Sequence, residues 1–257
     1  MTLAQHLREL RTRLFRGALA IGIGAGVAWA QYQTIFAQIR KPFDEVAGAN
    51  TVLALPGITS GFSLQLKVAL AAGVVLSSPI WLYQMWRFIS PGLRSNERKW
   101  AFIFTGVAVP LFAAGLWLAY VVMPRTLQVM FDFTPTGVSN FTSVESYIGF
   151  FLQIELFFGL AFLLPLVLVM LNFAGILSGA RVKESWRWII FGSFVFGAIA
   201  TPSGDPVGMT IVAVPMIAMS LVAMTIALVN DKRRARRAKV SGTNQWSDDQ
   251  ASPLDIV

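Results

Sequence analysis

Two glutamates, Glu9 and Glu97, stand out because each lies in a segment that is otherwise strongly basic. Glu9 is followed by Arg11 and Arg13, and Glu97 is the only acidic residue of a basic hairpin over residues 94–99. Taken singly, each glutamate is better explained as a solvated partner of its local arginines. Together they would suit a ligand that carries arginines, because a guanidinium group meets a carboxylate in a bidentate fork.

A third acidic residue, Glu155, lies within an apolar segment together with Gln153. An ionisable group at membrane depth is costly, and it therefore indicates a functional role by default. The alternative is a structural role, in which the carboxyl group is protonated or hydrogen-bonded to a neighbouring helix. The residues alone leave both interpretations open.

Catalytic and metal-binding chemistry finds little support in the composition. The chain of 257 residues has no cysteine and a single histidine, His6. This excludes a disulfide framework and a thiolate metal site, and it leaves little room for a histidine-based one. No HExxH, GxSxG or Walker motif occurs. We therefore expect neither an enzyme nor a bound cofactor.

The elements that must position these residues are membrane-spanning helices. Hydrophobic residues make up 55% of the chain and charged residues only 13%, and runs of about 20 apolar residues recur, which indicates an all-α integral membrane protein. An amphipathic helix over residues 1–13 is expected to lie on the membrane surface. Six spans are predicted, at about 14–31, 62–89, 100–123, 147–173, 186–200 and 207–229. The fifth reaches only about 22 Å as a helix and should thin the bilayer or rely on neighbours.

The distribution of lysine and arginine sets the orientation of these spans. Of the 21 basic residues, 17 fall in the N-terminus, the first hairpin, the loop after the fourth span and the tail, whereas the outer loops at 32–61 and 125–146 hold three. This asymmetry predicts that both termini are cytoplasmic, and it explains the net charge of +8 without nucleic-acid binding. Residues 1–230 are predicted to form the membrane domain, and residues 231–257 a basic, then polar and disordered, tail.

Prolines are expected to shape the loops and spans. The candidates for structural loop or kink positions are Pro42, Pro91, Pro165, Pro202 and Pro215. Pro91 is predicted to break the second span sharply, and Pro124 to end the third, because proline disfavours helical geometry at its own and the preceding position.

Several segments carry recognisable motifs. Residues 6–14 read HLRELRTRL, and residues 41–43 read KPF. The second span and its hairpin contribute Ser78-Pro79, Tyr83-Gln84, Trp86, Phe88, Pro91, Leu93 and Glu97-Arg98, and later spans contribute Tyr147, Phe158-Gly159, Phe162, Pro165, Thr201-Pro202 and Pro215. Together these motifs resemble those of TatC, the receptor subunit of the twin-arginine protein translocase, whose N-terminal motif is HLxELRxRL. The resemblance covers roughly residues 2–230.

The resemblance implies a glove-shaped receptor in the bacterial cytoplasmic membrane that binds the paired arginines of signal peptides. It also implies single-span partners of the TatA and TatB type, contact with membrane lipid, association with further copies of the chain, and transport of folded proteins driven by the proton gradient. The residues expected in the signal-peptide site are Glu9, Arg11, Arg13, Phe88, Glu97 and Arg98. One position departs from the family. Leu163 stands where a glutamate usually precedes the fourth-span proline, and Glu155 lies about 12 Å away along the helix.

Two other functions can be argued without the resemblance. A small secondary transporter would use Glu155 for proton coupling, but the internal repeats expected of such proteins are not evident. A lipid-organising scaffold is supported only by the short fifth span. Binding of a twin-arginine signal peptide would separate the three hypotheses.

Overall fold

The computed structural model describes residues 3–47, 51–55, 57–89, 97–133, 135, 140–200 and 206–240. These residues form helices joined by short connections, and two strands. The helices are α1 (Leu3–Ala30), α2 (Tyr32–Asp44), α3 (Ser60–Leu76), α4 (Ser78–Ile89), α5 (Glu97–Asp132), α6 (Val144–Phe173), α7 (Gly179–Glu184), α8 (Trp186–Ala200) and α9 (Pro206–Val240), and the strands are β1 (Thr51–Ala54) and β2 (Asn140–Ser143). The strands pair in parallel, with Thr51 opposite Asn140.

The predicted membrane architecture is confirmed. Among the described residues, α5, α6 and α9 are each long and apolar enough to cross a membrane. The pairs α1–α2 and α3–α4 also qualify when each is counted as one span, although they bend by 84° and 61°. The helix α8 is apolar but has only 15 residues, with the bounds that the sequence predicts for the short fifth span. The protein is therefore a multi-pass, helical membrane protein.

The N-terminal segment differs from the expectation of a separate surface helix. The helix α1 runs without a break from Leu3 to Ala30, and the chain turns only at Gln31. No proline interrupts this stretch, so nothing removes a backbone donor between the amphipathic part and the apolar part. Leu7 and Leu14, two apolar residues of this segment, are exposed along the single long helix.

The second predicted span is a bent pair of helices rather than one helix. The break lies at Ser77, directly before Ser78-Pro79. Proline at this position lacks a backbone donor and disfavours helical geometry at the residue before it, which explains the bend. On the N-terminal side of the bend, α3 lies directly against α1, since a Cβ atom on Gly73 would be 2.6 Å from the backbone nitrogen of Ala25. Only glycine permits this close approach.

Both predicted outer loops contain more helix than expected. Residues 32–61 include α2, and Pro42 is fully buried in its last turn. The prediction that Pro124 ends the third span is wrong, because α5 continues through it to Asp132. The extra turns are held by tertiary packing: Phe131 contacts Phe43 of α2 with ring centroids 5.8 Å apart. Packing of this kind overrides the local preference of proline.

The structure describes only some of the remaining prolines and only part of the tail. Pro165 and Pro215 lie inside α6 and α9, which are continuous through them. Pro91 and Pro202 lie outside the described residues, as does the predicted disordered segment from 241 onwards. The basic residues 231–239, which the sequence analysis assigned to the tail, continue α9 as helix to Val240. The last helix therefore extends about ten residues beyond the predicted end of the membrane domain.

Two apolar clusters hold the bundle together. One packs α2, α3, α5 and α6 around Phe43, Tyr147 and Phe151, and the Tyr147 hydroxyl donates to the carbonyl oxygen of Ile39 at 2.6 Å. The other packs α4, α5 and α6 around Trp86 and Phe104, whose rings stack with centroids 4.3 Å apart. The second cluster therefore fixes the end of α4 against the first part of α5.

Candidate arginine-recognition site

The candidate site lies where α1 packs against the bent pair α3–α4. A Cβ atom on Gly24 would meet the backbone of Gly73, and one on Gly17 would lie 3.6 Å from the Cβ atom of Trp81. The earlier residue of α1 contacts the later residue of the α3–α4 pair, so α1 runs antiparallel to that pair. The same progression brings Arg13, one turn further along α1, level with the middle of α4.

The start of α5 is fixed beside the end of α4. Trp86 of α4 is 3% exposed and Phe104 of α5 is fully buried in the same cluster as Ala101. Ala101 lies one turn after Glu97, so this packing anchors the backbone of the first turn of α5. The side chains of Glu97 and Arg98 lie outside the described residues, and their place in the site stays a prediction.

Glu9 is held by an ion pair within its own helix. The Arg13 guanidinium donates to Glu9 Oε1 twice, from Nε at 2.9 Å and also from Nη2. The Arg13 side chain is 10% exposed and the Glu9 side chain 23% exposed. No described residue donates to Glu9 Oε2. The pair therefore orients the carboxylate and leaves one of its two oxygens free to accept hydrogen bonds from a ligand.

Three buried polar atoms on α1 and α4, which pack against each other, lack a hydrogen-bond partner within the described part of the chain. They are Arg13 Nη1, Gln84 Oε1 and Trp86 Nε1. Buried polar atoms are nearly always hydrogen-bonded, so this concentration marks unused capacity to bind a polar group. Gln84 and Trp86 are not among the predicted site residues, although both belong to the family motifs in the sequence. Their polar atoms beside a predicted arginine site were the signal that could have found them.

Besides Glu9 and Arg13, two predicted site residues have described side chains. Arg11 is exposed, two residues from Glu9 on α1. Phe88 is half-buried in the last turn of α4. The structure packs α1, which carries Glu9, against α4, which carries Phe88, and it packs α4 against α5, which begins at Glu97. The contacts of Glu97 stay a prediction.

Glu155 lies in a different region of the molecule. It lines a cavity of about 300 Å³ between α2, α3, α5 and α6, in which the other lining residues are apolar except Gln38 and Tyr120. The Tyr120 hydroxyl donates to the backbone oxygen of Gln38 at 3.3 Å. Within the described residues, Glu155 forms no hydrogen bond or ion pair. Gln153 is half-buried and does not line this cavity.

The position at which the family carries its intramembrane acid is part of the core in this chain. Leu163 is 4% exposed and packs in the cluster of Phe104 and Phe112. Glu155 does not substitute for that acid, because it faces a separate cavity two turns away. No group of histidine, cysteine, aspartate and glutamate side chains that could hold a metal ion occurs among the described residues.

The fold defines a multi-pass helical membrane protein, and the comparisons give its family. The family described as Sec-independent protein translocase protein (TatC) matches residues 5–215. The chain is 38% identical to TatC of Frankia casuarinae over 100% of this chain and 73% of that protein, and 36% identical to TatC of Xylanimonas cellulosilytica over 92% and 87%. A crystal structure of the twin arginine translocase receptor TatC aligns with a TM-score of 0.76 and 31% identity, covering 86% of this chain and 99% of that one.

The chain belongs to the TatC family. It is therefore a component of a protein translocase, not a member of a class of catalytic enzymes.

Proposed function

We propose that this chain is the receptor for twin-arginine signal peptides and the core subunit of the Sec-independent translocase in the cytoplasmic membrane of a bacterium. In this role it exports folded proteins with the energy of the proton gradient. The observation that carries the proposal is the Glu9 carboxylate, which Arg13 holds through one oxygen while the other receives no hydrogen bond from a described residue. The twin arginine translocase receptors among the solved structures similar to it support the same reading.

Recognition in this proposal rests on two carboxylates within a cationic surface. One arginine of the signal peptide donates to the free oxygen of Glu9, and the other binds Glu97 at the start of α5. The basic residues around them, which include Arg11 and Arg98, repel any cation, so binding requires hydrogen bonds to these two carboxylates. Phe88 supplies apolar contact for the peptide chain. A lysine offers a point charge without the planar fork, so it binds such a site less well.

The experiment that tests the function is direct binding of a signal peptide to the purified chain. A peptide with an Arg-Arg pair is compared with the same peptide carrying Lys-Lys, at two salt concentrations. We expect tighter binding of Arg-Arg by about tenfold, since a charge-assisted pair contributes about 1.5–3 kcal/mol. Equal affinity for the two peptides at both salt concentrations would contradict the proposal.

The proposed orientation places both termini in the cytoplasm. The basic charge of α1 and of the last ten residues of α9 supports it. Reporter fusions after Val257 and in the connection between α5 and β2 should report opposite sides of the membrane. The same side for both fusions would remove this topology.

A single-span partner of the TatA or TatB type is proposed to dock on α8. This helix lies close along α9, since a Cβ atom on Gly197 would be 2.8 Å from the backbone oxygen of Met209. Its outer side chains remain uncovered, with Trp188 74%, Phe191 61% and Ile199 64% exposed. A helix of 15 residues is also too short to match the bilayer alone. Its exposed apolar side is therefore suited to a partner helix.

Cysteine crosslinking tests the docking surface without background, because the chain has no cysteine. Single cysteines at Phe191 and Ile199 should crosslink to a partner helix in membranes, whereas a cysteine at Trp117, an exposed residue of α5, serves as the control. Crosslinks formed only from α1 and α5 would show that the proposed surface is wrong.

A further inference from the structure

An apolar groove of about 330 Å³ lies between α5, α6 and α9, outside the arginine-recognition site. Every residue that lines it is apolar, including Val107 of α5, Val169 of α6 and Val222 of α9. Val107 is 47% exposed and Val222 51% exposed, so the groove is open at the surface of the bundle. In a membrane protein, such an opening faces the hydrocarbon chains of the lipid.

Next to the groove lies a second cavity of about 350 Å³, whose lining is partly polar. Phe173 and Ile226 line both, so the two cavities are adjacent. The second cavity adds Thr225, Asn230 and Arg233 to its wall. The combined feature is one groove whose floor is apolar and whose mouth is polar and cationic.

The change from apolar to cationic occurs along one face of α9. Val222, Ile226, Asn230 and Arg233 follow one another at helical spacings of three and four residues. The rise from Val222 to Arg233 is about 16 Å, which is close to half of the hydrocarbon thickness. Arg233 is exposed and forms no ion pair with any described residue. Its guanidinium is therefore available to an anion at the mouth.

We propose that this groove binds one anionic glycerophospholipid. An acyl chain lies along α9 between Val107 and Val222, and the phosphate accepts hydrogen bonds from Arg233. Asn230 adds a donor, because its amide nitrogen has two hydrogens and uses one for Asn172 Oδ1, at 2.9 Å. Arginine binds phosphate through parallel hydrogen bonds, and basic residues at the membrane surface attract anionic lipids.

The chemistry of the groove favours a lipid over a partner helix. A molecule with an apolar tail and an anionic head matches both ends of the groove, whereas an apolar helix would leave Arg233 without a counter-charge. The bound lipid would also act as a structural link. It contacts α5 and α6 as well as α9, next to Asn230, which already joins α9 to α6.

The first experiment measures lipid retention by native mass spectrometry of the full chain. Phosphatidylglycerol is titrated against phosphatidylcholine with the same acyl chains. We expect the anionic lipid to bind about tenfold more tightly, and Arg233→Gln to remove that preference while leaving phosphatidylcholine unchanged. Lys232→Gln is the matched control, because it removes the same charge from an exposed neighbour that does not line the groove. Equal binding of the two lipids, or an unchanged preference in Arg233→Gln, would overturn the proposal.

The second experiment fills the groove. Val107→Trp should reduce binding of both lipids, whereas Val121→Trp makes the same change at a position of α5 that is 51% exposed and does not line the groove. Equal lipid binding in the two variants would overturn the assignment of the acyl chain. A photocrosslinking residue at Val222 then identifies the occupant in membranes. A lipid adduct supports the proposal, and an adduct to a protein helix contradicts it.

Discussion

Two carboxylates near one end of the bundle, Glu9 and Asp231, are held in opposite ways. Glu9 uses one oxygen, and its partner Arg13 is on the same helix. Asp231 uses both: Oδ1 accepts from Asn172 Nδ2 at 2.8 Å, and Oδ2 accepts from the backbone nitrogen of Gly179 at 2.6 Å. Asp231 therefore joins three elements, α6, α7 and α9, whereas the Glu9 pair stiffens only α1.

The surrounding polar atoms show the same contrast. Asn172 is 1% exposed, yet its amide nitrogen donates to Asp231 and to the Leu177 carbonyl at 2.9 Å, and its oxygen accepts from Asn230. On α1 and α4, which pack against each other, three buried polar atoms have no partner among the described residues. A saturated network contributes to folding, and an unsaturated one retains the capacity to bind a ligand. The comparison supports a structural role for Asp231 and the proposed recognition role of Glu9.

The largest effect is expected at the carboxylate that completes the recognition site. Glu97→Gln keeps the shape of the side chain and removes its charge, so the peptide loses one charge-assisted pair. We expect the Arg-Arg peptide to bind about tenfold to a hundredfold more weakly and the preference over Lys-Lys to disappear. Binding to purified protein measures both quantities.

Glu184→Gln is a matched control, because it removes an exposed carboxylate at the end of α7. It should leave peptide binding unchanged. If Glu97→Gln keeps the full preference for Arg-Arg, the carboxylate of Glu97 is only a local partner of nearby arginines, and recognition lies elsewhere.

The next largest effect is expected in the stability of the protein, on replacement of Asp231. A change in peptide binding by the same variant would contradict the contrast drawn between Asp231 and Glu9. Asp231→Ala leaves the buried backbone nitrogen of Gly179 without its acceptor, and we expect a loss of about 1–3 kcal/mol in the free energy of unfolding. Thermal unfolding in detergent measures the loss, and Asp231→Asn, which keeps one acceptor oxygen, should lose less. At a temperature where the variant is folded, its preference for Arg-Arg should equal that of the unchanged chain. A lost preference would assign Asp231 to recognition.

A smaller effect is expected for the carboxylate that is already paired. Glu9→Gln should weaken Arg-Arg binding by about tenfold, because the amide oxygen still accepts a hydrogen bond but carries no charge.

Arg13→Gln tests whether the ion pair with Arg13 positions the Glu9 carboxylate. If Arg13 positions Glu9, its loss weakens binding. Tighter binding of the peptide by Arg13→Gln would show that Arg13 is only a competitor for the carboxylate.

Features that depend on composition and local pattern were predictable from the sequence. The bounds of α8 agree with the short fifth span, and α6 begins within three residues of the predicted fourth span. Continuous runs of apolar residues determine these elements, and the basic loops separate them. The pairing of Glu9 with Arg13 also follows from their spacing of four residues on one helix.

Features that depend on contacts between distant segments were not predictable. Asn172 and Asp231 are 59 residues apart, and no local pattern indicates that they meet. The continuation of α5 through Pro124 depends on packing against α2, which the sequence analysis described as a loop. The bend at Ser77 differs in this respect: the prediction of one continuous span over residues 62–89 is wrong there, although Pro79 alone indicates a break in the helix.

The smallest effect is expected at Glu155, which has neither the partner of Glu9 nor the network of Asp231. Its carboxyl group lines an apolar cavity, and Leu163 fills the position at which the family carries its acid. Glu155→Gln keeps the size of the side chain and its ability to hydrogen-bond. We therefore expect export to stay within about twofold of the unchanged chain, a difference of less than about 0.5 kcal/mol, and peptide binding to be unchanged. Gln153→Leu, a half-buried neighbour outside the cavity, is the control. Loss of export by Glu155→Gln alone, with normal peptide binding, would place this carboxyl group in a later, proton-linked step and would end its interpretation as structural.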